Sequence, residues 1–220
     1  MERLNYKSTL TCCISMELVR DGEFLCRGGG GGAVRPPPPG FVRQAALPLD
    51  DERPRTKNVI LVGVRSDVLA LEQPPSEAAG GPQLGMYIGG KPLTEESNYF
   101  EVEILDKGSA SGDMSPEQPP SIVIGLCSRR SNMDVIPGWH SDSIGYNCGE
   151  GLLHKPGSKM RGVPFGPKSD IGDRIGCGIR FTGMKSNASQ MPAPMANVFF
   201  TRNGKEVGPP QPLPLPPGGL

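Results

Sequence analysis

At 220 residues the chain has room for one domain of ordinary size with tails. Its 23 basic and 23 acidic residues cancel, which removes the net field that draws a protein to nucleic acid or to an anionic membrane. Glycine (31) and proline (25) together make up about a quarter of the residues, so part of the chain is too rich in them to build core.

The uncharged apolar runs, such as Val59–Val64, are far too short to cross a bilayer, so no membrane insertion is expected. The N-terminus opens Met1-Glu2-Arg3 without the apolar stretch of a secretory signal. That points to an intracellular protein, cytoplasmic by default, in which the six cysteines are free thiols.

Residues 1–55 hold a five-glycine run, Gly28–Gly32, and a four-proline run, Pro36–Pro39. Such a segment buries too little apolar surface to offset the entropy of ordering, and it is expected to be disordered, with only Thr11–Phe24 showing some apolar character. The texture changes over residues 56–208. Val59–Val64 is a β-branched run of strand length, and Leu84–Ile88 follows a Gly/Pro-rich break at Gln73–Pro82. In Tyr99–Leu105, Phe100, Val102 and Ile104 fall on one face and Glu101 and Glu103 on the other, the alternation of a half-buried antiparallel strand.

Asp106–Pro120 reads as a long polar loop, and Ser121–Cys127 as a strand buried on both faces. Further strands are expected at Ser143–Cys148, Gly151–His154 and Ile175–Phe181. A second soft insert, Thr182–Pro194, precedes a strand at Ala196–Thr201. Asn203-Gly204 then suits the two positive φ values of a type I′ hairpin leading into Lys205–Val207. Many short strands, turns between them and no amphipathic helix indicate an all-β sandwich or barrel. Residues 209–220 form a proline-rich tail expected to be extended polyproline II, and Pro209–Pro217 could dock into a polyproline-recognising domain.

Five blocks in order carry a family resemblance: Ser97–Ile104, Pro137–Tyr146, Phe165-Gly166, Gly172–Ile179 and Phe199–Lys205. In these the chain resembles SPRY domains, and among them the Ran-binding-protein-M type, over about Asn58–Gly208. The resemblance implies a bent antiparallel β-sandwich of the B30.2-like, concanavalin-like kind, whose loops bind a partner protein or a short peptide. It also implies that the chain continues past the Asn-Gly hairpin into further strands. Here it ends at Gly218-Gly219-Leu220, so the sandwich is expected to lack its last strands and to leave edges open.

Within this frame Gly176 and Gly178 suit a place where a side chain would clash. Asp173 suits a side-chain to backbone cap. Trp139, the single tryptophan, is expected to anchor a loop on the sandwich. The binding surface is sought in loops: Arg129–Trp139, the Ile88–Ser97 turn and Cys148–Leu153. The candidate partner-binding residues are Arg129, Arg130, Asn132, Asp134, Trp139, His140 and Tyr146, with Trp139 and Tyr146 also open to a purely structural role.

Catalysis has weaker signals. Cys148 and His154, with His140 nearby, could form a nucleophilic pair. Cys127, Cys148 and Cys177 instead fit small buried hydrophobes in or beside strands. Cys12-Cys13 with Cys26 lacks zinc-site spacing, so no metal is expected. The glycine run lacks the Lys-Ser/Thr of a phosphate loop, and no cofactor is expected. Asn187-Ala188-Ser189 matches a glycosylation pattern without meaning in a cytosolic chain. Arg129-Arg130-Ser131 is read as a solvated loop in preference to a kinase site. The expected protein is a non-enzymatic interaction module that binds a protein or peptide and no nucleic acid. Its rivals are a Cys148 enzyme, a carbohydrate-binding sandwich and a truncated fragment without function.

Overall fold

The computed structural model describes residues 10–18, 24–28, 54–62, 68–71, 83–107, 121–158, 161–180 and 195–214. These residues are all β, with no helix among them. The strands are β1 (Leu10–Leu18), β2 (Phe24–Gly28), β3 (Arg55–Lys57), β4 (Val59–Val62), β5 (Val68–Leu71), β6 (Gln83–Pro92) and β7 (Tyr99–Lys107). They continue as β8 (Ser121–Ser128), β9 (Ile144–Asn147), β10 (Leu152–His154), β11 (Val163–Pro164), β12 (Arg174–Arg180), β13 (Met195–Arg202) and β14 (Lys205–Pro214). Sheet I runs β11-β10-β9-β8-β1-β6-β3 and sheet II runs β14-β13-β12-β7-β2-β5-β4. Every pairing is antiparallel.

The alternation read in β7 puts Phe100, Val102 and Ile104 into the core between the sheets. There they join Ile175, Cys177 and Ile179 of β12 and Val198 and Phe200 of β13, against Cys12, Ile14, Tyr87, Ile124, Leu126 and Tyr146 of sheet I. The opposite face of β7 is also closed off. Glu101 is only 7% exposed; its Oε2 accepts from Tyr99 Oη at 3.0 Å, and Arg174 stands 3.9 Å from its Oε1. The two glycines of β12 make this possible. A Cβ on Gly176 would lie 2.1 Å from Tyr99 Oη, and one on Gly178 would lie 2.5 Å from the Phe199 ring. What they admit is therefore a pair of neighbouring aromatic side chains, and the Tyr99 and Phe199 rings stack 5.9 Å apart over them.

Asp173, just ahead of β12, is the cap the sequence suggests: its Oδ2 accepts from Asp170 N at 2.7 Å. It also accepts from Arg202 Nη2 (2.7 Å) and Asn203 Nδ2 (2.7 Å), tying β12 to the β13–β14 hairpin. Asn203 and Gly204 carry φ values of 52° and 79°, as a type I′ turn needs. Asn58, at φ 52°, lets the chain leave β3 in sheet I and enter β4 in sheet II, its Nδ2 donating to Leu84 O.

Two expectations are corrected. The first 55 residues are not all outside the fold: β1 lies between β8 and β6 in the middle of sheet I, with Cys12, Cys13 and Ile14 buried. β2 lies between β7 and β5 in sheet II. Nor does the domain stop at Gly208. Pro209–Pro214 belong to β14, where Gln211 and Leu213 are buried and the prolines are exposed. Proline is tolerated there because, among the described residues, β14 is the edge strand of sheet II with no ladder on its outer side. The stretch from Pro209 to Pro214 is thus strand, unavailable as a polyproline II ligand. Gly29–Gly32, Pro36–Pro39, Gln73–Pro82, the loop 108–120, the insert 182–194 and the end 215–220 lie outside the described residues.

Candidate interaction surface

Sheet I needs cover on both faces. Its inner face carries Ile122, Ile124 and Leu126 of β8 into the core, while Cys127 faces outward with Cys13 of β1 and Met86 and Ile88 of β6. The β8–β9 connection, residues 129–143, supplies the cover: Met133 completes that second apolar cluster, and Ile136 and Pro137 are buried. This is why β8 reads as buried on both faces.

Polar contacts pin the loop along its length. Arg55 of β3 donates from Nη1 to Arg129 O (2.6 Å) and Ser131 O (3.1 Å), and Lys57 pairs with Asp134. Asn132 Oδ1 accepts from Asp134 N at 2.9 Å, closing a small turn. Ser131 Oγ donates to Asp142 Oδ2 at 3.4 Å, holding the two ends of the loop together. Near its end Ser143 Oγ accepts from Gly138 N (2.8 Å) and donates to His140 O (3.1 Å).

The Pro137-Gly138 step is shaped by missing side chains. A Cβ on Gly145 of β9 would sit 2.7 Å from Pro137 O, so the glycine lets Pro137 lie on the sheet. Gly138 has φ 97°, and a Cβ there would reach within 2.2 Å of His154 O in β10. Gly162, at φ 69°, rests on the other part of the same residue, its Cβ position 3.0 Å from His154 Cε1. His154 is 4% exposed between these glycines, its ring nitrogens have no hydrogen-bond partner among the described residues, and burial pushes its pKa below the usual imidazole value.

The candidate residues separate accordingly. Arg129, Arg130, Asn132 and Asp134 are exposed on the loop, and His140 is half-buried with its Nε2 enclosed. Trp139 is 42% exposed; the loop is anchored by Met133, Ile136 and Pro137, not by the indole. Tyr146 leaves the set: it is fully buried, its ring centroid 5.7 Å from Phe165 and 5.6 Å from Phe200, and its hydroxyl donates to Pro167 O. Burial raises its pKa further above the ordinary phenol range.

Of the three loops expected to bind, 93–98 and 129–143 leave sheet I at the same end, since Pro92 and Ser128 both lie at the Leu10–Thr11 end of β1. Cys148–Gly151 lies at the other end of β9. A loop the sequence reading passed over, between β10 and β11, joins the first two, because His154 pairs with Gly145 near the start of β9. It carries Arg161, and the exposed Val163 follows it (38%). Its signal in the sequence is four basic residues and no acidic one between Leu152 and Ser169.

A cysteine nucleophile finds no support in this geometry. Cys148 is fully buried in the inter-sheet core with its Sγ donating to Ile122 O at 3.4 Å. Leu153 joins that core, so His154, next along β10, faces the other way. Burial likewise pushes the Cys177 and Cys13 thiols up, away from the reactive thiolate. Cys12, Cys13, Cys127, Cys148 and Cys177 are buried and form no disulfide among the described residues. Among the described residues no cluster of three or more metal-ligating side chains occurs.

No family model matches the chain. Similar proteins are found by direct comparison. Human SPRY domain-containing protein 3 is 37% identical over 138 residues, which is 63% of this chain and 27% of that protein. The Ran-binding protein M homolog of Arabidopsis thaliana is 32% identical over 130 residues, 58% of this chain and 23% of that protein. The chain spans about a quarter of the length of these curated relatives. A solved human SPRY domain superposes with a TM-score of 0.54 at 33% identity, covering 74% of this chain and 84% of that one.

Proposed function

This chain belongs to the SPRY domain family, a family of protein-interaction modules, and we propose that it works as a non-catalytic adaptor binding a partner protein or short peptide. The contact surface is the end of sheet I formed by loop 129–143 and the described residues 155–158 and 161–162 of the next one. One observation carries the reading: Trp139 is 42% exposed on a loop that Met133, Ile136 and Pro137 anchor by their burial and whose backbone is pinned from both sides. A large aromatic held rigidly at a surface loses little entropy on binding and is the commonest kind of interface hot spot. We further propose the cytoplasm as its place of action, a reducing compartment in which buried cysteines stay thiols.

The test is affinity capture on the whole chain, compared with the Trp139→Ala variant. Specific partners that bind the parent and are lost from the variant support the reading. Partners retained undiminished by Trp139→Ala would put the surface elsewhere, and an absence of any specific partner would remove the function.

A further inference from the structure

The chain as a whole is neutral, but at the end of sheet I acidic and basic residues are separated. Of the three loops there, the β6–β7 turn carries exposed Glu95 and Glu96. The β10–β11 loop lies on the opposite side, with β9, β8 and β1 between β10 and β6. It belongs to the stretch Leu152–Ser169, whose charged residues are Lys155, Lys159, Arg161 and Lys168, all basic. Arg129 and Arg130 open the neighbouring loop. The acids of that loop are already engaged, Asp134 with Lys57 and Asp142 with Ser131. Lys155 donates to Gln211 Oε1, while Arg130 and Arg161 are exposed and have no charged partner among the described residues.

These cations flank apolar surface. Gly138 and Gly162 rest on one residue, His154. Trp139 and Arg161 therefore each stand one position from a glycine against the same buried histidine, with exposed Val163 just beyond. The Ser131–Asp142 bond keeps Arg130 beside the turn that follows Trp139. Among the described residues β11 is the edge strand of sheet I, so the patch ends on a strand edge.

Resting on the reading of this end of sheet I as the contact surface, we infer that its partner is an acidic, extended peptide segment. An apolar side chain of that segment lies against Trp139 and Val163, and its carboxylates face Arg130 and Arg161. Arginine beside an exposed aromatic is the pairing that recognises carboxylates at interfaces while the aromatic supplies the apolar area. The occupant is peptide, not a polyphosphate, because an indole and a valine offer area to a side chain and the cations are few and spaced around them.

The experiment is selection of random-sequence peptides on phage with the whole chain. The expected consensus has aspartate or glutamate flanking a leucine, phenylalanine or similar residue. The selected peptide, labelled with fluorescein, should bind about tenfold more weakly to Arg130→Ala/Arg161→Ala and to Trp139→Ala, and more tightly as salt is lowered. A consensus without acids, or an acidic consensus indifferent to the two arginines, overturns this inference and leaves the peptide-binding module standing. Competition by single-stranded DNA or phosphatidylserine vesicles as effective as the peptide itself also overturns it. A library that yields no consensus overturns both readings. All three side chains are exposed, so each variant folds, which the circular dichroism spectrum checks.

Discussion

Replacing Ile14 with alanine asks whether a strand from the N-terminal segment is structural or incidental. Ile14 has no exposed surface and lies in the core between the sheets. Truncating a buried isoleucine to alanine costs about 2–5 kcal/mol, the sum of lost transfer energy and the cavity left behind. A domain of this size moves by roughly 2–4 °C per kcal/mol, so the midpoint of thermal unfolding should fall by about 4–20 °C. Removing β1 altogether goes further. It deletes eight paired positions with β8 and seven with β6, and it opens two unpaired edges in the middle of a sheet. Residues 55–220 should therefore lose the single cooperative urea transition of the whole chain. The assay is urea titration followed by far-ultraviolet circular dichroism and by fluorescence of Trp139, the only tryptophan. Ile171→Ala, at a residue 58% exposed, is the control and should stay within about 0.5 kcal/mol of the parent. If Ile14→Ala and residues 55–220 both keep the parent's urea midpoint, β1 is not part of the sheet and the reasoning is refuted.

Three further outcomes follow from particular contacts. His154 is held neutral by burial, so the unfolded chain binds its proton more readily than the folded one. Stability contributed at this site is complete above the unfolded value of about 6.5 and is lost as pH falls below it, until the lowered folded value is reached. His154→Gln should flatten the melting-temperature profile on the acid side of neutrality, and an unchanged slope would contradict the assignment. Asp173 also has its pKa lowered, but by its partners: burial raises it, and Arg202, the Asp170 amide and Asn203 outweigh that and hold the carboxyl below its ordinary range. Its contribution is present above about pH 4 and disappears as pH falls through the folded value. Asp173→Asn should thus cost stability at neutral pH and little in strong acid, as chemical denaturation at the two pH values would reveal. Gly178→Ala places a Cβ 2.5 Å from the Phe199 ring and 2.7 Å from Asn98 O. It should destabilise by about 1–3 kcal/mol, whereas Gly172→Ala, with open space around it but φ 85°, reports backbone strain alone.

The residues that read as strands did so because their own periodicity is local. Phe100, Val102 and Ile104 alternate with Glu101 and Glu103 whatever else the chain does, and Asn203-Gly204 specifies its hairpin through two φ values. The motif blocks are legible for the same reason: Gly138, Gly145, Gly176 and Gly178 are glycines because a Cβ at each meets an atom of the fold. What the sequence by itself determined is the all-β class, most of the strands of residues 56–208 and the loop that carries Trp139.

Only the tertiary structure decided the rest. β1 mixes polar and apolar residues without a clean alternation and pairs with β8 more than a hundred residues away, so nothing nearby in the sequence marks it as central. β14 reads as a polyproline tail until its position at a sheet edge removes the need for the missing amides. Tyr146 and Trp139 are both aromatics within one motif block, yet the alternation of β9 turns the first into the core and the loop's glycine turn leaves the second half-exposed. Strand pairing joins segments distant along the chain, and burial is settled by which of them meet, which is why the elements were legible and their neighbours were not.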